Sequence, residues 1–250
     1  MPTVLITGCS SGFGLEIARY FLARDWNVVA TMRTPRADIL PPSPRLRVLA
    51  LDVTNSESIR RAVEEAGPLD VLVNNAGFGL AAPSELTPLA AVREVFETNT
   101  FGTIALTQAV LPQFRQRGAG VVVNVTSSVT LKALPLIAAY SASKAAVNAY
   151  TESTAIELAP FGVRLCLVLP GRSPESRFRE NAQRHGLEHE AYADLVNEVL
   201  ARFADTASPI THPQDVAEAV WRAATDPSAP MLIPAGADAQ AWAAEAGGLH

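Results

Sequence analysis

From residue 3 to about residue 170, short apolar runs rich in β-branched residues alternate with stretches whose apolar positions recur at helical spacing. That alternation is the signature of βαβ units on a parallel sheet. The predicted strands are "TVLIT" (3–7), "NVVATM" (27–32), "LRVLAL" (46–51), "LDVLVN" (69–74), "GVVVNVT" (120–126), "VRLCLVL" (163–169) and "MLI" (231–233). Their near-continuous apolar character requires burial on both faces, which right-handed crossovers achieve by laying the intervening helices on either side of the sheet. The proline-rich "RTPRADILPPSPR" reads as a loop between the second and third strands. After Pro170 and Gly171 the chain turns polar and rich in arginine and glutamate. Tyr192, Leu195, Val196, Val199, Leu200 and Phe203 then fall at i, i+3, i+4, i+7, i+8 and i+11. They form one apolar helix face, either packed on the body or closing as a lid over an apolar ligand. The alanine-rich tail from Ala235 carries little information.

Composition narrows the class. A chain of 250 residues with 48% apolar and 18% charged residues is a core-forming globular protein, one large α/β domain or two small ones. No stretch approaches the roughly 20 apolar residues of a membrane span, and no basic leader opens the chain, so the expected location is the cytoplasm. The net charge of −5 argues against nucleic acid and anionic membranes as main partners. Cys9 and Cys166 lack disulfide or metal-ligand spacing and read as reduced, partly buried thiols. His185, His189, His212 and His250 show no metal or catalytic spacing either, which leaves surface or capping roles. Eighteen of the twenty basic residues are arginine, so Lys132 and Lys144 stand out.

Lys144 follows Tyr140 by four residues in "AAYSASKAAV", which puts phenol and ammonium on one helix face among small side chains. An ammonium beside a phenol stabilises tyrosinate and lowers the phenol pKa from about 10. In "VLITGCSSGFGLEIA", Gly8, Gly12 and Gly14 join the first strand to the first helix, a turn whose backbone amides can approach a pyrophosphate. "NNAG" (74–77) ends the fourth strand, "ETNTFG" places Asn99 inside a helical pattern, and Ser127 follows the fifth strand. Asn74 has a competing use tying neighbouring strands, and Asn99 a competing use as a structural kink.

Together, in this order and spacing over about the first 171 residues, these motifs resemble the short-chain dehydrogenase/reductase family in its compact single-domain branch. "TGCSSGFG" with "ATMR" is most similar to the retinol and 17β-hydroxysteroid dehydrogenases. The resemblance implies one doubly wound α/β Rossmann domain over residues 1–250, with a mostly parallel seven-stranded sheet, helices on both faces, and a substrate loop or lid at about 172–212. It implies that Gly8, Ser10, Ser11, Gly12, Phe13, Gly14, Asp52, Val53, Asn75, Ala76, Gly77, Tyr140, Lys144, Pro170 and Gly171 bind a nicotinamide dinucleotide. Within that set Asp52 takes the adenine amino group, left free by a capping box at Thr54–Glu57. Asn99, Ser127, Tyr140 and Lys144 become the catalytic set, with Tyr140 as proton donor, Ser127 on the carbonyl oxygen, Lys144 on the nicotinamide ribose and Asn99 ordering water.

Met32 stands where an NAD enzyme places an acid, and Arg33 follows it, so the expected cofactor is NADP(H). The usual threonine after Pro170–Gly171 is missing; Glu175 stands there, with Ser173 or Ser176 as substitutes. The expected activity is hydride transfer between NADP(H) and a lipophilic small-molecule carbonyl or alcohol. A 3-oxoacyl carrier-protein reductase, with Arg115 and Arg117 in a docking patch, is the enzymatic alternative. A nucleotide-sensing protein without chemistry is the other, although such proteins commonly lose the tyrosine or lysine. The family also implies a homodimer or homotetramer through helices near 90–117 and 140–159. Arg33→Asp is expected to shift preference from NADPH toward NADH by roughly ten- to hundredfold in kcat/KM, the value of a charged hydrogen bond; an unchanged ratio would count against the assignment.

Overall fold

The protein, seen in a computed structural model, is described over residues 1–204 and 208–247. In chain order the strands are β1 (Thr3–Ile6), β2 (Asn27–Met32), β3 (Leu46–Ala50), β4 (Val71–Asn74), β5 (Leu80–Ala81), β6 (Gly120–Val125), β7 (Val163–Pro170), β8 (Gln183–Arg184) and β9 (Leu232–Ala235). The α-helices are α1 (Gly12–Leu22), α2 (Ser56–Ala66), α3 (Leu89–Phe96), α4 (Gly102–Arg117), α5 (Ala138–Leu158), α6 (Phe178–Asn181), α7 (Ala193–Ala204), α8 (Pro213–Thr225) and α9 (Ala237–Glu245). Seven strands form one parallel sheet in the order β3-β2-β1-β4-β6-β7-β9. This is the doubly wound Rossmann arrangement.

Side-chain alternation explains the two layers. Within β1, Val4 and Ile6 face a core with Phe21 of α1 and Val216 and Val220 of α8, whereas Leu5 faces one with Leu106 and Phe114 of α4 and Leu158 of α5. All three β1 residues are fully buried, as a strand covered on both faces must be. The chain winds from β1 outward through β2 and β3, then returns to β4 on the other side. The loops after β1 and β4 therefore diverge at the carboxyl edge and open a crevice.

The asparagines inside this core are paired. The Asn74 amide donates to Asn124 Oδ1 (2.8 Å) and Thr107 Oγ1 (3.0 Å), and Asn124 donates to Thr151 Oγ1 (2.8 Å). Asn74 thus ties β4, β6, α4 and, through Asn124, α5. Asn99 sits in a π-helical turn, Glu97–Phe101, that joins α3 to α4. A π-turn of this kind re-aims a side chain while keeping the helix continuous.

Several local expectations change. Asn55, not Thr54, caps α2, accepting from the Ser58 N–H at 2.9 Å. Asp52 Oδ1 accepts from both the N–H and the hydroxyl of Thr54 (2.9 and 2.8 Å), so the carboxylate is partly engaged in its own turn. The two-residue strands β5 and β8, too short to register as a pattern, pair with each other. The strand expected at 231–233 is β9, and the tail from Ala235, which carried little information, closes that strand and forms α9. The predicted apolar helix exists as α7, preceded by Tyr192, whose hydroxyl donates to Glu85 (2.6 Å). Val196 is buried and Leu200 exposed; the side chain of Phe203 lies outside the described residues. His212 precedes α8 and its N–H donates to Asp215 (2.8 Å), while His189 Nδ1 accepts from the Ala191 N–H; His250 also lies outside the described residues. No helix among the described residues is long and apolar enough to cross a membrane.

Replacing Asn124 with alanine removes one acceptor from the Asn74 amide, which keeps Thr107, and the donor to the Thr151 hydroxyl, which keeps its own bond to the Val147 carbonyl, so one buried N–H and one lone pair are left unpaired. A loss of roughly 2 to 4 kcal/mol is expected, read as a shift in the urea midpoint at unchanged m-value.

Candidate active site

The crevice after β1 and β4 opens into a cleft of about 920 Å³. One wall is the β1–α1 turn, with Gly8, Ser10, Ser11, Gly12 and Phe13. Met32, Arg33, Asp52 and Val53 line the outer end, Asn75, Ala76 and Gly77 the floor, and Ser176 and Phe178 the cover.

The β1–α1 turn has this shape because Gly8 and Gly12 take left-handed backbone angles (φ +71° and +58°) that other residues resist. Gly14 works differently. It lies outside the cleft lining, and a Cβ there would overlap the Gly8 carbonyl oxygen and the Asn75 amide, so its bareness lets α1 close onto β4. Thr7 holds the two loops together: its hydroxyl accepts from the Asn75 and Ala76 N–H groups, both at 2.9 Å. The Asn75 side chain returns a bond to the Thr7 carbonyl (2.8 Å) and is committed to that lock. Nothing in the strand pattern singled out Thr7, because a threonine at a strand end has an ordinary β-propensity explanation.

At the outer end, Arg33 and Arg36 are both exposed to the cleft. The Arg36 guanidinium donates to the Ser10 carbonyl at 2.7 Å, which bridges the β2 loop to the glycine turn. Two guanidinium groups beside Met32, with no carboxylate at the end of β2, form a cationic corner suited to a phosphate. Arg36 carries no motif of its own: "RTPR" places it three residues after Arg33, and only the fold of the proline-rich loop turns it toward Ser10.

The other end is built on α5. Tyr140 and Lys144 are both buried, one turn apart as their spacing requires, and Ser127 forms a hydrogen bond with the Tyr140 phenol. The Lys144 ammonium donates to the Val125 carbonyl at 3.1 Å. Asn99 accepts from the Phe78 N–H and donates to the Phe78 carbonyl (3.0 Å each), and also donates to Ser143 Oγ (3.2 Å). Gly77 packs between these groups, where a Cβ would press on Asn99 Oδ1 (2.9 Å) and Lys144 Nζ (3.3 Å). Asn99, Ser127, Tyr140, Lys144 and Gly77 are therefore one cluster.

The cluster meets the cleft at Gly77, and Phe178 of α6, which also lines the cleft, packs its ring on the Tyr140 ring at 5.4 Å between centroids and 57° between planes. Phe178 had no sequence signal: it lies in a polar stretch without periodicity. Pro170 and Gly171 do not line the cleft, and the Gly171 N–H donates to Thr211 Oγ1 (2.9 Å). Of the two serines that might replace the missing threonine, Ser176 lines the cleft and donates to the Ser173 carbonyl (2.8 Å), while Ser173 Oγ is buried without a partner.

The electrostatics differ from the simple phenol–ammonium expectation. Burial pushes the Tyr140 phenol up to about 12, against the opposing effect of its Ser127 hydrogen bond. Burial also pulls the Lys144 ammonium down to about 8. Desolvation dominates because it penalises whichever form carries charge, raising the acid and lowering the base. Cys9, buried in the glycine turn, is pushed up to about 12 for the same reason, an unreactive thiol.

A Rossmann sheet with a glycine turn at its switch point and a buried tyrosine–lysine helix defines the class as a dinucleotide-type α/β enzyme fold. The short chain dehydrogenase family model matches residues 2–184, and the chain belongs to the short-chain dehydrogenase/reductase family of oxidoreductases. It is similar to 3-ketodihydrosphingosine reductase from Bacteroides thetaiotaomicron, 36% identical over 225 residues that span 88% of this chain and 82% of that protein. It is also similar to retinol dehydrogenase 8 from Bos taurus, 42% identical over 184 residues, 68% of this chain and 58% of that protein. The crystal structure of a short chain dehydrogenase from Burkholderia cenocepacia J2315 in complex with NADP matches with a TM-score of 0.77 at 29% identity, covering 97% of this chain and 91% of that one.

Absorbance titration at 295 nm of the protein without cofactor is expected to show a phenol ionising near pH 12 that disappears in Tyr140→Phe. A Tyr140-dependent step below pH 10 would contradict the dominance of burial.

Proposed function

We propose that the protein is an NADP(H)-dependent oxidoreductase that transfers hydride between nicotinamide and the carbonyl or alcohol carbon of a lipophilic small molecule. The observation that carries the reading is the buried Tyr140–Lys144 pair on α5, with Ser127 bonded to the phenol, adjoining a cleft that has Arg33 and Arg36 at its outer end. The residues present fit the dinucleotide: the glycine turn leaves the room that a pyrophosphate needs, and the two arginines answer a 2′-phosphate. The neighbour from Burkholderia cenocepacia, in complex with NADP, supports the same choice.

When bound, the dinucleotide supplies or accepts the hydride. The chain's own residues manage the proton. At pH 7 a phenol near 12 and an ammonium near 8 both hold their protons, the state required to donate to a developing alkoxide. Ser127 donates to the same substrate oxygen, and Lys144 keeps positive charge beside the phenol and on the nicotinamide ribose. Asn99 positions Lys144 and its water through the cluster at Gly77. An apolar substrate wall is supported by Leu80, Phe78, Val129 and Ile137, which pack with Tyr140, and by the lipid and retinoid names of the two relatives. The described residues of the 172–212 segment serve as the substrate loop in this reading, with Phe178 on Tyr140. A homodimer or homotetramer through α4 and α5 belongs to the same proposal; Phe101 and Ile156 are apolar and exposed beside and on those helices.

Tyr140→Phe is expected to keep NADPH affinity within about twofold and lose turnover by roughly a hundredfold or more, the scale of general acid catalysis. Lys144→Ala is expected to weaken both. The test is NADPH oxidation with a panel of apolar ketones and aldehydes, beside NADPH binding by fluorescence; full turnover by Tyr140→Phe would remove the proposed acid. Because Lys144 loses its charge above pH 8, wild-type carbonyl reduction is expected to decline as pH rises through that value.

A further inference from the structure

The end of β7 and the segment leading into α8 are forty residues apart in sequence, yet they meet in a buried knot on the first turn of α9. The carboxylate of Asp238, itself 8% exposed, accepts from the Arg172 N–H through Oδ2 at 2.6 Å. Its Oδ1 lies 2.6 Å from the hydroxyl of Thr211, which is fully buried. That hydroxyl accepts from the Gly171 N–H at 2.9 Å, and the Ala235 carbonyl at 2.8 Å competes with Asp238 for its one proton. The Thr211 N–H closes the ring on the Arg172 carbonyl at 2.8 Å. Gly171 and Gly236 are both required: a Cβ on the first would overlap the Asp238 carboxylate, and on the second the Thr211 hydroxyl.

Two features give the knot a task beyond holding the fold. It pins both ends of the excursion that carries Ser176 to the glycine turn and Phe178 to the Tyr140 ring, so it sets where that cover begins and ends. It also fixes the Gly171–Arg172 backbone at the end of the strand beside β6, which leads into Ser127, since β7 pairs with β6 up to Val125 and Val168. The far end of α9 braces the other flank: Lys132, in the segment after Ser127, bonds Glu245 at 3.0 Å and lies over the Trp242 ring. All of α9 lies beyond residue 184, where the family match ends.

We propose that Asp238 is a positioning residue for the nicotinamide half of the bound dinucleotide, acting through the Gly171–Arg172 backbone and the loop anchored there. The proposal rests on the NADP(H) reading. Its mechanism is preorganisation: without the carboxylate the neck of a long loop is free to open, and the surfaces meeting the nicotinamide must be ordered again at each binding event.

The test compares two probes on the full chain: NADPH, and adenosine 2′,5′-bisphosphate, which carries only the adenosine and phosphate end. In Asp238→Ala the NADPH Kd is expected to rise about five- to twentyfold, with the bisphosphate Kd unchanged within about twofold. Asp238→Asn keeps one oxygen for the Arg172 N–H and is expected to recover most of that loss; if the alanine variant does not fold, the asparagine variant must still weaken NADPH selectively by about twofold or more. Equal weakening of both probes, or no weakening of either, would overturn the proposal. Wild-type protein that binds neither probe would instead sink the NADP(H) reading, and this proposal with it.

Discussion

At the switch point of the sheet, one threonine hydroxyl holds two diverging loops together. Thr7 accepts from the amides of Asn75 and Ala76, while the Asn75 side chain bonds back to the Thr7 carbonyl. Parallel strands leave unpaired amides and carbonyls at their carboxyl ends, and here those groups satisfy each other instead of water. The lock lets the glycine turn and the "NNAG" loop sit at contact distance, with Gly14 bare because there is no room for a side chain. Every wall of the cleft is placed relative to that seam.

The chemical end depends on burial more than on pairing. Tyr140 and Lys144 share a helix face, but the ammonium is turned to the Val125 carbonyl and the phenol to Ser127. Removing both from water favours their neutral forms, so the acid becomes weaker and the base easier to deprotonate. A neutral phenol beside a still-charged ammonium is a proton donor at rest. Charge brought in by a ligand then acts in a medium of low dielectric, where it carries further than in water.

Both ends are joined by backbone that sequence motifs do not describe. Phe178 covers Tyr140, Gln183 pairs with the chain at Leu80, and Asp238 gathers the neck of that excursion. Long loops are tolerated because closing them costs little extra entropy per added residue, but a loop that must present one geometry needs an anchor at each end. Placing the anchor on α9 couples that helix to the turn after β7.

The fold class was legible from the sequence because buried parallel strands must be apolar on both faces, and "TVLIT" or "VRLCLVL" can hardly be read otherwise. Tyr140 with Lys144, and the glycines after β1, were legible because helical periodicity and a tight turn act over four to seven residues. Asn74 as a strand tie was within reach for the same reason. Local rules reached no further. The α2 cap lies one residue beyond Thr54, because it is the Asn55 side-chain oxygen that reaches the Ser58 N–H. The direction of the Tyr140 shift was decided by solvent exclusion, a property of everything packed around the ring. Arg36, Phe178, Thr211 and Asp238 acquire their partners across 26, 38, 40 and 66 residues of chain, from Ser10, Tyr140, Gly171 and Arg172. A contact between segments that distant leaves no periodic trace in either of them, so only the tertiary structure could decide it.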